Sequence, residues 1–121
     1  MKPAAHPTPA QASGGGAEAR AARYLEDHGL AILARNYHTR QGEIDLVARD
    51  GAVLVFVEVR LRTSGRLGGA LESITHAKRA RIVAAARHYL MRLGREPPCR
   101  FDVVAMDGGE CTWLRGAFDA A

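Results

Sequence analysis

The chain is poor in cysteine, with two in 121 residues, Cys99 and Cys111. They have neither metal-ligand spacing nor the setting of a disulfide-stapled scaffold, and the expectation is two reduced thiols in a cytoplasmic protein. No apolar run is long enough to cross a bilayer, so no membrane span is expected. Met1 to Gly16 is rich in Ala, Pro and Gly and lacks the continuous apolar segment of a secretory signal. That stretch is expected to be a disordered tail. Acidic residues are missing between Ser73 and Arg95, where six basic ones occur: Lys78, Arg79, Arg81, Arg87, Arg92 and Arg95. His76 and His88 lie in the same stretch, yet no histidine has ligand spacing and none is assigned to a metal. Neither an internal repeat nor a second domain is visible.

What is present suits one globular domain. The hydrophobic share of 47% fits a modest core. A net charge of +4 and a pI near 9.6 favour anionic partners, nucleic acid first.

Two apolar runs carry acids where acids are rare: Gly42-Glu43-Ile44-Asp45-Leu46-Val47-Ala48 and Val53-Leu54-Val55-Phe56-Val57-Glu58-Val59-Arg60. A carboxylate in a buried strand needs a partner, because desolvating it alone costs several kcal/mol or shifts its pKa. A divalent cation is one partner that accounts for both Asp45 and Glu58, since hard cations take oxygen ligands. Asp50-Gly51 between the runs is a hairpin signal. With those two residues as the loop, Glu43 faces Glu58 and Asp45 faces Phe56. Alternation then projects Glu43, Asp45, Glu58 and Arg60 from one side of the sheet, with Asp45 and Glu58 as diagonal neighbours. A one-residue slip would undo this. The competing reading is a surface hairpin whose acids face water or pair with arginines.

The rest of the chain falls into alternating elements. Ala17 to His28 reads as a helix stopped by Gly29, and Leu30 to His38 as a strand. The hairpin spans about Glu43 to Leu61. Thr63 to Gly69, with three glycines, a serine and Arg66, reads as a mobile loop. A helix is expected from about Ala70 to Leu93, with Ile82, Ala85, Ala86, Tyr89, Leu90 and Leu93 as its apolar stripe and Gly94 and Pro97-Pro98 ending it. Phe101 to Met106 is a strand, paired with Cys111 to Leu114 across Asp107-Gly108-Gly109. The order αβββαββ implies an α/β fold, a central mixed sheet flanked by helices, whose long helix crosses over into a strand able to lie parallel to an earlier one. The domain is expected over residues 17–118, with a short tail at 119–121.

These strings resemble the restriction-endonuclease-like, or PD-(D/E)XK, nuclease superfamily, whose hallmark is an Asp on one strand and a Glu/Asp-x-Lys on the next. More closely the chain is similar to the YraN family of bacterial proteins, related to archaeal Holliday-junction resolvases. The likeness runs from about Glu18 to Phe118. It includes Glu18 with Ala21-Ala22-Arg23-Tyr24-Leu25, Asn36, Gly42-Glu43-Ile44-Asp45-Leu46 and Val55-Phe56-Val57-Glu58-Val59. Further on it takes in Ile74-Thr75, Lys78, Tyr89-Leu90, Arg100-Phe101-Asp102-Val103-Val104 and Ala117-Phe118. The resemblance implies a three-layer fold and a magnesium- or manganese-dependent endonuclease acting on DNA, with branched forms among the substrates. It implies Asp45 and Glu58 as metal ligands, Glu18 as a helical acid reaching the metal directly or through water, and the carbonyl of Val59 as a further ligand. By analogy with resolvases, a homodimer is a candidate assembly.

Arg60 departs from the family pattern, which has Lys there. Arginine keeps its proton and cannot serve as a base, but it can clamp a phosphate and stabilise negative charge. Lys78 is a candidate substitute: it lies one helical turn from both Ile74 and Ile82, on the inward stripe, from which it can reach the acids. Its alternative role is to pack its stem on the core with its head in water. Arg62, Arg66, Arg79 and Arg81 are the candidate nucleic-acid contacts, with His38 and His76 behind them. Glu43 is a candidate supporting acid, Asp102 a buried partner for Arg100 or a main-chain amide, and Trp113 and Phe118 cover the core edge. Besides the nuclease, two readings stay open. One is a nucleic-acid-binding module that has lost catalysis through Arg60. The other is a protein-interaction partner of a DNA-processing complex.

Overall fold

The computed structural model describes residues 16–62 and 72–120. The expected tail up to residue 15 and the expected loop at 63–69 lie outside the described residues. Helix α1 is Gly16–Asp27, followed by β1 Ala31–His38, β2 Glu43–Asp50 and β3 Val53–Arg62. Helix α2, His76–Leu93, leads to β4 Cys99–Asp107 and β5 Glu110–Phe118. The five strands form one sheet in the order β1-β2-β3-β4-β5. All neighbours are antiparallel except β3 and β4, the parallel pair that α2 connects.

Three layers result. Ala17, Ala21, Ala22 and Leu25 of α1 are buried against Leu46, Ala48, Val55, Val57, Val104 and Met106 on one face of the sheet. Ile82, Val83, Ala85 and Ala86 of α2 are buried against Ile44, Val47, Leu54, Phe56, Phe101 and Val103 on the other. Along β3 the two clusters alternate residue by residue, which is the period-two pattern of a strand covered on both faces. Among the described residues no helix is long and apolar enough to cross a membrane, and both cysteines are free.

Local chemistry sets the helix ends. Gly29 takes φ +94° after α1, and Leu30 N–H donates to Leu25 O at 3.0 Å, the closing bond of a Schellman turn. Helix α2 begins at His76, after a break at residues 73–75 in the span expected to be helical from Ala70; residues 70 and 71 lie outside the described residues. Thr75 explains the boundary: its backbone is extended and its hydroxyl accepts from Lys78 N–H, as an N-cap does. Gly94 ends α2 in the left-handed region, as the sequence indicates.

Two other boundaries differ from expectation. Asp50 pairs with Val53, so the β2–β3 loop is Gly51 and Ala52, not Asp50 and Gly51. A positive φ at the first loop residue only, +59° at Gly51, is the type II′ pattern that suits a hairpin. The register therefore moves by two residues, which preserves the face of every β3 side chain. Strand β5 extends to Phe118 rather than Leu114 because a bulge opposite Asp102 lets it resume pairing at Phe101↔Phe118.

Candidate active site

The site forms where regular pairing between β1, β2 and β3 breaks down. The β2–β3 ladder stops at Leu46↔Val57. Beyond it, the Val59 N–H donates to Asp45 Oδ2 at 2.8 Å, so a carboxylate replaces a ladder carbonyl. Asp45 also shares a hydrogen bond with Glu58. Glu58 is buried, 4% exposed, on the α2 face of β3. Its Oε2 meets Lys78 Nζ at 3.0 Å and Arg60 Nε at 3.4 Å. The contact with Arg60 is an ion pair without hydrogen-bond alignment, and Arg60 Nε is buried with no hydrogen-bond partner.

Electrostatics follow from this crowding. Burial, and then the charge of Glu58, push the Asp45 carboxyl up to about 8, while the Val59 amide opposes the rise. Burial also raises Glu18 above the ordinary carboxylate range, against a side-chain hydrogen bond from Asn36 that lowers it. Glu18 Oε1 is buried without a hydrogen-bond partner. Glu18 lies close enough for its charge to act on Asp45.

The structure thus joins Asp45, Glu58, Arg60 and Lys78, with Glu18 nearby. Among the described residues, no three His, Cys, Asp or Glu side chains gather closely enough to hold a metal. The expected acidic trio is therefore a pair with an outlying third member. Glu43 does not share the face of Asp45. Ile44 belongs to the α2-side cluster and Leu46 to the α1-side cluster, so alternation breaks at Asp45. Glu43 instead ion-pairs with His38 Nδ1 at 3.0 Å on the surface.

A cleft of about 410 Å³ opens beside Lys78, lined by His38, Arg40, Gly42, Glu43 and Arg81 among others. Gly42 is required there. A Cβ on it would meet the Cβ and carbonyl carbon of Arg81, each at 2.8 Å, so the β1–β2 loop and the backbone of α2 touch. Sequence reading found the Gly42 string but not this contact, which joins residues 39 positions apart and leaves no local pattern.

The candidate nucleic-acid contacts separate. Arg81 is exposed at the cleft. Arg79 lies on the opposite flank of α2, where its Nε donates to Ile74 O at 3.2 Å and its guanidinium covers the Phe118 ring; His76 lines that flank too. A helix displays neighbours two apart on divergent faces, so the two arginines do not form one surface. Arg62 closes β3, and Arg66 lies outside the described residues. Asp102 is a buried structural hub, as expected. It accepts from Arg100 Nε at 2.9 Å, Gly116 N–H at 2.9 Å and Trp113 Nε1 at 2.8 Å.

A three-layer α/β domain in αβββαββ order, with a five-stranded mixed sheet between two helices, has the layout of the restriction-endonuclease-like fold. Comparison narrows the class. A model of the uncharacterised protein family UPF0102 matches residues 17–106, and the chain belongs to that family, which is the YraN family. It is 49% identical to a UPF0102 protein of Janthinobacterium sp. (strain Marseille), over 93% of this chain and 92% of the relative. A UPF0102 protein of Nitrosococcus oceani is 50% identical, over 98% and 97%. One from Paracidovorax citrulli is 54% identical, over 97% and 90%.

Proposed function

We propose that the chain is a metal-dependent endonuclease acting on DNA, with branched or otherwise structured DNA among its substrates. The observation that carries this reading is the Asp45–Glu58 pair: two acids sharing a hydrogen bond, one raised to about 8 by burial and by its neighbour. Two carboxylates with water suit magnesium or manganese, which rarely need an all-protein cage. The unpartnered Oε1 of Glu18 supports the fit, as an acceptor that a water in such a shell can satisfy. Asp45 and Glu58 would hold the ion, with the Val59 carbonyl as a further oxygen donor. When bound, the ion supplies an activated water and stabilises charge on the scissile phosphate.

The remaining work falls to other side chains. Lys78 comes from α2 to the carboxylate that a family lysine at position 60 would face, and it neutralises Glu58 from the cleft side. Arg60, whose Nε pairs with Glu58 at 3.4 Å, adds a second positive charge at the acids, and a guanidinium so placed can offset charge on a phosphate. Arg40 and Arg81 give the DNA backbone a basic approach along the cleft.

The test is calorimetric titration of magnesium or manganese into the protein and into an Asp45→Asn/Glu58→Gln double variant. Parallel samples are incubated with linear, single-stranded and four-way-junction DNA. Metal binding that the double variant loses, together with cleavage, is expected. Absence of metal binding would overturn the reading. If Lys78→Ala leaves DNA binding and cleavage intact, the role given to Lys78 is wrong.

Arg60 itself favours a second reading, a nucleic-acid-binding module that cuts little or not at all. It predicts metal and DNA binding without cleavage, and cleavage gained by Arg60→Lys.

A further inference from the structure

Asn36 is the one non-glycine among the described residues with a positive φ, +50°. Asparagine tolerates the left-handed region better than most residues, but a strand interior is an unusual place for it. The reason lies in the pairing with β2. Arg35 pairs with Leu46 and Tyr37 with Ile44, so Asn36 stands opposite Asp45, and that pair alone is missing from this part of the ladder.

Both strands turn over at this point. On β2, Leu46 packs in the α1-side cluster and Ile44 in the α2-side cluster, although residues two apart in a regular strand share a face. On β1, Ala34 and Tyr37, three apart, both pack in the α2-side cluster. Each strand thus makes a half twist centred on this pair. Asp45, at the centre of the twist, reaches sideways to the Val59 N–H and to Glu58. The Asn36 side chain meanwhile hydrogen-bonds with Glu18. Because this bond favours the charged form of Glu18, Asn36 is its donor.

We propose that Asn36 is a positioning residue: its left-handed backbone turns Asp45 toward Val59 and Glu58, and its side-chain amide holds Glu18 beside them. Any consequence for metal binding rests on the nuclease reading above; the geometric role does not.

Asn36 is exposed, so its replacement removes nothing from the core. Amide hydrogen exchange in the metal-free protein reads the backbone role. In Asn36→Ala the Val59 amide should exchange at least tenfold faster, while the Val55 and Val57 amides keep their wild-type rates. Asn36→Gly, which takes positive φ without strain, should restore Val59 protection. Unchanged Val59 exchange in Asn36→Ala, or loss of protection that Asn36→Gly shares, would overturn that role. A thermal-unfolding cycle of Asn36→Gly with Glu18→Gln reads the side chain. A smaller Tm change for Asn36→Gly in the Glu18→Gln background is expected, and strict additivity would overturn the tether. With Mn2+ added, Asn36→Ala should bind at least tenfold more weakly than wild type. A wild-type chain that binds no Mn2+ would sink the metal reading alone, because exchange and the cycle are measured without metal.

Discussion

Asp45 holds a proton in the folded chain that it would lose when unfolded, because burial and Glu58 raise its pKa from 3.8 to about 8. Between those values the unfolded chain binds fewer protons than the folded one, so Asp45 makes the metal-free protein less stable as pH rises. The slope is at most about 1.4 kcal/mol per pH unit. Asp45→Asn keeps an acceptor for the Val59 amide and removes the ionisation. Its advantage in Tm over wild type should be small near pH 4, grow toward pH 8 and level off above it. Thermal unfolding across that range, with chelator present, checks this, and an advantage that shrinks as pH rises would refute it. Asp45, Glu58 and Lys78 were legible in the sequence because charges interrupting apolar periodicity stand out. Asn36 stood out only as part of the family likeness, with no role attached: a polar residue in an edge strand looks ordinary until its backbone angle is known.

Gly42 belongs to the scale of elements, because it lets the β1–β2 loop meet the backbone of α2 at Arg81. Lys78 and Arg81 belong to that same helix. Gly42→Ala should force the helix and loop apart, at a cost of about 1–3 kcal/mol by analogy with overpacked cores. Urea unfolding measures the cost, and loosening of the Lys78–Glu58 contact should appear as weaker Mn2+ binding. Between β4 and β5 the hub is Asp102. Asp102→Ala would strand the Trp113 and Gly116 N–H groups and leave Arg100 with Asp50 alone, costing about 3 kcal/mol or more. A loss under 1 kcal/mol in urea unfolding would contradict this. Element order and type were legible from periodicity and from glycine stops. The exact β2–β3 turn was not, since Asp-Gly fits a hairpin in two registers and only the positive φ of Gly51 selects one. Nor was the start of α2, where the stripe from Ile82 onward says nothing about Thr75.

For the whole molecule, the net charge of +4 and the basic cleft set an expectation for DNA binding. Affinity should fall with salt on a log–log plot, and Arg81→Ala should flatten the slope by about one phosphate contact. Fluorescence anisotropy with one labelled duplex at several salt concentrations reads both; an unchanged slope would remove Arg81 from the interface. The αβββαββ order led to a mixed sheet flanked by helices and the family resemblance to three layers, and alternate burial of β3 on both faces gives them. The irregularities of the two outer strands have another effect. Strand β1, at one margin of the sheet, carries a register shift between Ile32 and Ala34 as well as the left-handed Asn36. Strand β5, at the other, carries the bulge and a left-handed Gly116. Neither margin offers a long flat row of unpaired amides, so both resist the edge-to-edge strand addition by which open sheets aggregate.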